Sequence, residues 1–277
     1  MNGVRSEEGF WTEPATHRQL FYRVWMPHQP TAHLVLVHGF GEHGGRYQSF
    51  ASSLVQRGIA VLVPDLWGHG RSDGQRGDIA DVRQCAADLA RLVDDIAFRQ
   101  PGQAYALFGH SFGGLLVLAW ALIEPQPLRS VVTQSPLLEA GFPIPFWKRT
   151  AASLLARTWP RFSLRMNLDV TKLSHNPAVI QAYRADPLVH NNMTARSYRS
   201  LLHTRDEVVA RAAEFHPPLA LLCGAEDQII SVPMAQRWYE HLACEKRLVM
   251  FPGCYHELHH EPVRAQVIEL VCQWTMQ

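Results

Sequence analysis

The sequence predicts an α/β protein, a mostly parallel, doubly wound sheet with a helical insertion, and two patterns predict it. Short apolar runs at 34–37, 59–63, 105–108, 131–133, 219–223 and 248–251 alternate with helical patterns near 47–56, 81–98, 112–123, 194–213, 234–241 and 263–274. Strands this apolar need cover on both faces, and strand and helix taking turns supplies it. The alternation then stops over 137–192, where Pro143, Pro145 and Pro160 punctuate a stretch dense in Phe142, Phe146, Trp147, Trp159 and Phe162, with Lys148, Arg149, Arg157, Arg161 and Arg165 among them. That stretch is expected to be a cap inserted into a single core, dividing the chain into core (1–136), cap (137–192) and core again (193–277). Ahead of the repeating pattern, residues 19–25 alternate apolar and polar side chains, which suits an antiparallel edge strand exposed on one side.

Composition agrees with a folded core and narrows the partners. The chain has 277 residues, 47% of them hydrophobic and 18% charged, enough to bury about three quarters of its unfolded surface. Lys plus Arg number 26 against 25 Asp plus Glu, so no net field favours nucleic acid. A small neutral or weakly charged substrate is expected. The five cysteines, Cys85, Cys223, Cys244, Cys254 and Cys272, are odd in number and lack C-x-x-C spacing, which reads as reduced thiols in a cytoplasmic protein. Glu7 and Glu8 stand where a signal peptide would be apolar, and no run approaches the roughly 18 apolar residues of a membrane span.

The chemistry is carried by Gly109-His110-Ser111-Phe112-Gly113, set between the run at 105–108 and the helical pattern at 112–123. In this strand-turn-helix context a G-x-S-x-G motif holds its serine on a strained turn with the hydroxyl projecting, so Ser111 is the expected nucleophile. A serine hydroxyl needs a histidine to take its proton and a carboxylate to orient that histidine. Asp227 follows the run at 219–223 and His256 follows the run at 248–251, both at the sheet edge that carries Ser111. Asp227 is the expected acid, with Glu139 and Glu226 as alternatives.

His38-Gly39-Phe40-Gly41 closes the run at 34–37 and resembles the H-G-x-G turn that supplies an oxyanion-hole amide in lipases and esterases. The backbone N–H groups of Phe40 and Phe112 are therefore the expected oxyanion donors. With Glu42-His43, Arg46-Tyr47, Asp65-Leu66-Trp67-Gly68-His69-Gly70-Arg71-Ser72, the serine motif itself and Tyr255-His256 with His259, the chain resembles the monoacylglycerol lipase and lysophospholipase family of α/β-hydrolases. That resemblance implies the α/β-hydrolase fold, a Ser111, Asp227 and His256 triad, and a carboxylic ester substrate cleaved through an acyl-enzyme without metal or organic cofactor. It further implies that Glu42, Arg46 and His259 line the polar end of the pocket, although Glu42 and Arg46 also stand at the spacing of a helical surface pair.

Competing readings have specific marks. His256-Glu257-Leu258-His259-His260 satisfies the H-E-x-x-H zinc signature, but Gly253 and Pro262 flank it where a helix is required. A non-catalytic scaffold would lack a triad member, and none is missing. Proline-releasing aminopeptidases share the triad, yet a cap that recognises a free amine needs acidic residues, and 137–192 holds only Glu139, Asp169 and Asp186. Its aromatic, basic composition points to an acyl chain and to peripheral contact with an anionic membrane surface.

Overall fold

A computed structural model describes residues 4–277 except 97, 101, 124–126 and 144–145, with the backbone alone for residue 4 and for 146–149. The chain opens on two antiparallel strands, β1 (Val4–Thr12) and β2 (Gln19–Pro27). Strand and helix then alternate through β3 (Ala32–Val37), α1 (Gln48–Val55), β4 (Ile59–Pro64), α2 (Val82–Asp95), β5 (Tyr105–His110), α3 (Phe112–Ile123) and β6 (Leu128–Gln134). Next come α4 (Phe146–Thr158), β7 (Ser163–Arg165), α5 (Pro177–Ala185), β8 (Asn192–Thr194) and α6 (Ala195–Ala210). The chain ends with β9 (Leu219–Gly224), α7 (Val232–Glu240), β10 (Lys246–Phe251) and α8 (Arg264–Met276). Eight strands form one sheet in the order β1-β2-β4-β3-β5-β6-β9-β10, parallel from β4 onward, while β7 and β8 pair separately. This is the α/β-hydrolase fold. Among the described residues no helix is long and apolar enough to cross a membrane.

The central strands are rich in apolar residues because each feeds two cores. Val35 and Val37 of β3 and Leu107 of β5 face the layer built on α2, α3 and α6, with Leu89, Leu116, Trp120 and Val208. Their neighbours Leu34, Leu36 and Phe108 face the opposite layer, built on α1 and α8 with Phe50, Leu54, Val271 and Trp274. Side chains alternate across a strand with period two, so one continuous apolar run packs both layers. The parallel strands consequently end on one edge, and the loops after β3, β5, β6, β9 and β10 converge there.

The first strands differ from expectation. β2 is antiparallel but interior, held between β1 and β4, and its one charged residue is not in water: Arg23 is buried and donates to Asp65 at 2.9 Å. The true edge is β1, whose Arg5, Ser6, Glu7 and Glu8 remain exposed. Of the aromatic and basic residues in 137–192, the side chains of Phe146, Trp147, Lys148 and Arg149 lie outside the described ones, as does Pro145.

Candidate active site

Ser111 stands on the turn between β5 and α3 at φ 54, a left-handed conformation that a non-glycine residue adopts at a cost of about 1–2 kcal/mol. Packing holds it there. A Cβ on Gly113 would lie 2.3 Å from the Val37 carbonyl oxygen, and one on Gly109 would lie 2.3 Å from that of Gly113, so β3, β5 and α3 can meet this closely only through glycine. The Ser111 N–H donates to the Gln134 carbonyl at 3.0 Å, and its own carbonyl accepts from Leu137 at 2.9 Å. The side chain, half-buried, lines a cavity of about 440 Å³.

His256 lines the same cavity. Its Nδ1 lies 2.7 Å from Asp227 Oδ2, and the other Asp227 oxygen accepts the amides of Ile229 at 2.8 Å and Ile230 at 3.2 Å. Three donors thus fix the carboxylate in the turn after β9. The proton on Nδ1 leaves Nε2 as the basic nitrogen. Burial disfavours the imidazolium, but the Asp227 charge and hydrogen bond outweigh it and raise His256 above 6.5. Burial likewise works against the Asp227 carboxylate, which His256 and the two amides nevertheless hold below 3.8. Of the alternative acids, Glu226 is exposed and Glu139 lines the cavity; among the described residues His256 pairs with Asp227.

The loop after β3 brings Phe40 to the cavity wall beside Ser111. Its ring meets that of Phe112 edge-on, with centroids 5.4 Å apart. Phe112 is the first residue of α3, so its amide is among those a helix leaves without an intrahelical partner. His38 braces the loop from below: its Nε2 accepts from Leu66 N–H at 2.9 Å and its Nδ1 donates to the Gly39 carbonyl at 2.7 Å.

The residues expected at the polar end of the pocket divide. Glu42 reaches the cavity wall, whereas Arg46 and His259 lie behind it. Glu42 and Arg46 do pair, but in the interior and not on the surface, where helical spacing alone had placed them. Glu42 Oε1 accepts from Gly39 N–H at 2.6 Å and from Tyr47 Oη at 2.7 Å, while its other oxygen meets Arg46. The Arg46 guanidinium then grips both oxygens of Glu257 at 2.7 and 2.8 Å. Burial alone would raise both carboxyls; Arg46 holds each below its usual range. His259 is fully buried, stacked on Tyr47 at 4.7 Å. Gln134 Nε2 lies 2.9 Å from Nδ1 of both His110 and His259, the latter also 3.2 Å from Gln134 Oε1, and burial pushes His259 well below 6.5. Burial and the nearby His256 push His110 down to about 4.

Glu257 had attracted notice only as the base of a zinc motif. Its pairing with Arg46, 211 residues away in sequence, carries no local signal. Residues Leu258–His260 form a single 3-10 turn, and His256 is occupied with Asp227. The groups that come within 4.8 Å of one another are Glu257, His259 and His260. With both Glu257 oxygens bound to a guanidinium, the H-E-x-x-H arrangement does not form.

Residues 28–263 match the family model described as Serine aminopeptidase, S33. The chain is 32% identical to a monoacylglycerol lipase of Mycolicibacterium smegmatis over 99% of its own length and 98% of that protein. It is 30% identical to an abhydrolase domain-containing protein of Dictyostelium discoideum, matching 92% of this chain but spanning only 27% of the larger protein. The crystal structure of a Paleococcus ferrophilus monoacylglycerol lipase superposes with a TM-score of 0.86 at 31% identity, covering 93% of this chain and 98% of that one. The chain therefore belongs to the α/β-hydrolase family that holds the serine aminopeptidases and the monoacylglycerol lipases, and it is a carboxylic ester hydrolase of that family.

Proposed function

We propose that the chain hydrolyses monoacylglycerol or lysophospholipid esters through an acyl-enzyme on Ser111. The observation that carries this is the His256–Asp227 pair at 2.7 Å opening on the same cavity as a serine held at φ 54. Ser111 Oγ attacks the ester carbonyl as His256 Nε2 takes its proton, and the amides of Phe40 and Phe112 receive the charge that develops on the carbonyl oxygen. The imidazolium next protonates the departing alcohol. His256 then draws a proton from water, which attacks the acyl-enzyme and restores Ser111. Asp227 orients the ring and offsets its transient charge throughout.

Residues 137–192 act in this reading as the cap over the cavity. Leu137, Phe142, Met166, Leu168 and Leu173 line one side and Leu201 and Ile229 another, a wall suited to an acyl chain, each buried methylene of which contributes about 0.8 kcal/mol. The outer surface of the same segment exposes Leu154 and Trp159, both at 62%, with Arg157 and Arg161 also exposed, an arrangement that lets the cap rest on an anionic membrane while substrate enters.

The test is a fluorophosphonate label followed by turnover of monoacylglycerols, lysophospholipids and proline peptides. Wild type is expected to label at Ser111 and to prefer the lipids, and Ser111→Ala to lose both label and turnover by several orders of magnitude. Labelling that persists in Ser111→Ala moves the nucleophile elsewhere, and faster cleavage of proline peptides makes the enzyme an aminopeptidase.

A further inference from the structure

The turn that leaves α5 makes three hydrogen bonds to segments around Phe40. Asp186 Oδ2 lies 2.8 Å from His43 Nε2. His43 Nδ1 accepts the Gly45 N–H at 3.1 Å, so its proton sits on Nε2 and the ring donates to Asp186. Four residues on, the His190 N–H donates to the Gly41 carbonyl at 2.8 Å, and its Nε2 donates to the Gly68 carbonyl at 3.2 Å. Asp186 is itself fixed, because its Oδ1 accepts the Leu188 N–H at 2.8 Å. The approach is close enough to exclude side chains. Gly41 has φ +81, and a Cβ there would lie 2.4 Å from the His190 carbonyl oxygen. The Phe40 ring sits edge-on to His69 at 4.8 Å and to His190 at 6.2 Å. Residues 39–45 are thus held from the 186–190 turn at two points, Gly41 and His43, that bracket Glu42 and adjoin Phe40.

We propose that Asp186 is a positioning residue for ester hydrolysis: through His43 it fixes the loop that presents the Phe40 amide, so that stabilisation of the transition state depends on how the 186–190 turn is seated. The inference rests on Phe40 as an oxyanion donor. His43 is the joint, since one nitrogen organises the turn at Gly45 while the other meets Asp186. A carboxylate suits the place because one oxygen accepts from His43 and the other from Leu188, whereas an asparagine would turn its NH2 toward one of these two donors. An oxyanion donor works only where the anion forms, and a displacement of about 1 Å in such a group costs on the order of 100-fold.

The experiment compares wild type with Asp186→Ala, Asp186→Asn, His43→Gln, His43→Ala and the double alanine variant on a soluble p-nitrophenyl ester. It measures kcat, KM, the fraction of sites titrated by a fluorophosphonate, and inhibition by an alkyl trifluoromethyl ketone, whose adduct with a serine carries an oxyanion. Asp186→Ala is expected to lower kcat by about 10- to 100-fold and to weaken the ketone by a similar factor, with KM within about twofold and titration complete. Asp186→Asn should fall between it and wild type. His43→Gln, which keeps one donor and one acceptor, should retain most activity, and the double variant should be no worse than His43→Ala. The proposal is overturned if KM rises while kcat holds, if ketone affinity is unchanged, or if lost activity matches lost titratable sites, which marks a folding defect. Failure of the hydrolase reading is separately visible, as wild type that does not label at Ser111.

Discussion

Arg46→Met removes the one cation that two buried carboxylates share, and the consequence can be worked through oxygen by oxygen. Glu42 keeps the Gly39 amide at 2.6 Å and Tyr47 Oη at 2.7 Å, so two of its three partners survive. Glu257 loses the donor to each of its oxygens and, among the described residues, retains only His260, 3.9 Å away. Taking away one partner of a buried pair costs about 3–5 kcal/mol, a large share of the roughly 5–15 kcal/mol that stabilises a domain. Urea unfolding at neutral pH should show that loss, and adding Glu257→Gln should recover more than half of it, because the uncompensated charge goes with the carboxylate. The pH dependence fixes the cause. In wild type Arg46 depresses the Glu257 carboxyl, so its contribution is present above about pH 4.5 and is lost as pH falls through the folded value. Without the guanidinium, burial raises that carboxyl instead, so the variant's penalty is greatest near pH 7 and shrinks as acid protonates it. A cost below about 1 kcal/mol at pH 7, of the size of an exposed pair, or a gap between the proteins that widens in acid, would refute the reasoning.

Because Asp227 raises His256, kcat/KM should fall as pH drops through a value above 6.5, and Asp227→Asn should lower kcat by about 10⁴-fold; an acid limb centred well below 6.5 in wild type contradicts the assigned base. Chelators are expected to leave esterase activity intact, with Glu257→Gln lowering Tm more than kcat and His256→Ala nearly inactive; activity lost to chelation and restored by zinc would show a metal enzyme. In a series of esters, kcat/KM should rise from acetate to medium or longer chains, and the protein should sediment with anionic but not neutral vesicles at low salt. Specificity that falls steadily from acetate contradicts an apolar acyl pocket, and equal behaviour with both vesicles removes the membrane contact.

Elements with apolar runs were legible because both sheet faces are covered, which makes each such strand unmistakable in composition. β1 escaped notice for the opposite reason: Arg5, Ser6, Glu7 and Glu8 are exposed, and apart from Trp11, which is buried in the core, the strand pairs with β2 through its backbone, which leaves little trace in side-chain type. Missing β1 made β2 look like the edge. At the site, Ser111, Asp227 and His256 stood out because each follows a strand and has a distinctive chemical type. The roles of Arg46, Glu257, His43 and Asp186 were hidden, since each depends on a partner 143 to 211 residues away along the chain. The pairing of Glu42 with Arg46 was legible from spacing, but its depth was not, because i,i+4 geometry is the same in water and in a core.

The left-handed turn at Ser111 sets function against durability. Glycine would occupy φ 54 without the steric cost of a Cβ, and even after its greater entropy loss on folding the exchange should gain up to about 1 kcal/mol. With Ser111 as the proposed nucleophile, the most robust protein one substitution away from this chain at that site is an inert one. A thermal screen blind to turnover would enrich it, and on the proposed mechanism it is demand for catalysis that keeps the hydroxyl on its uncomfortable perch.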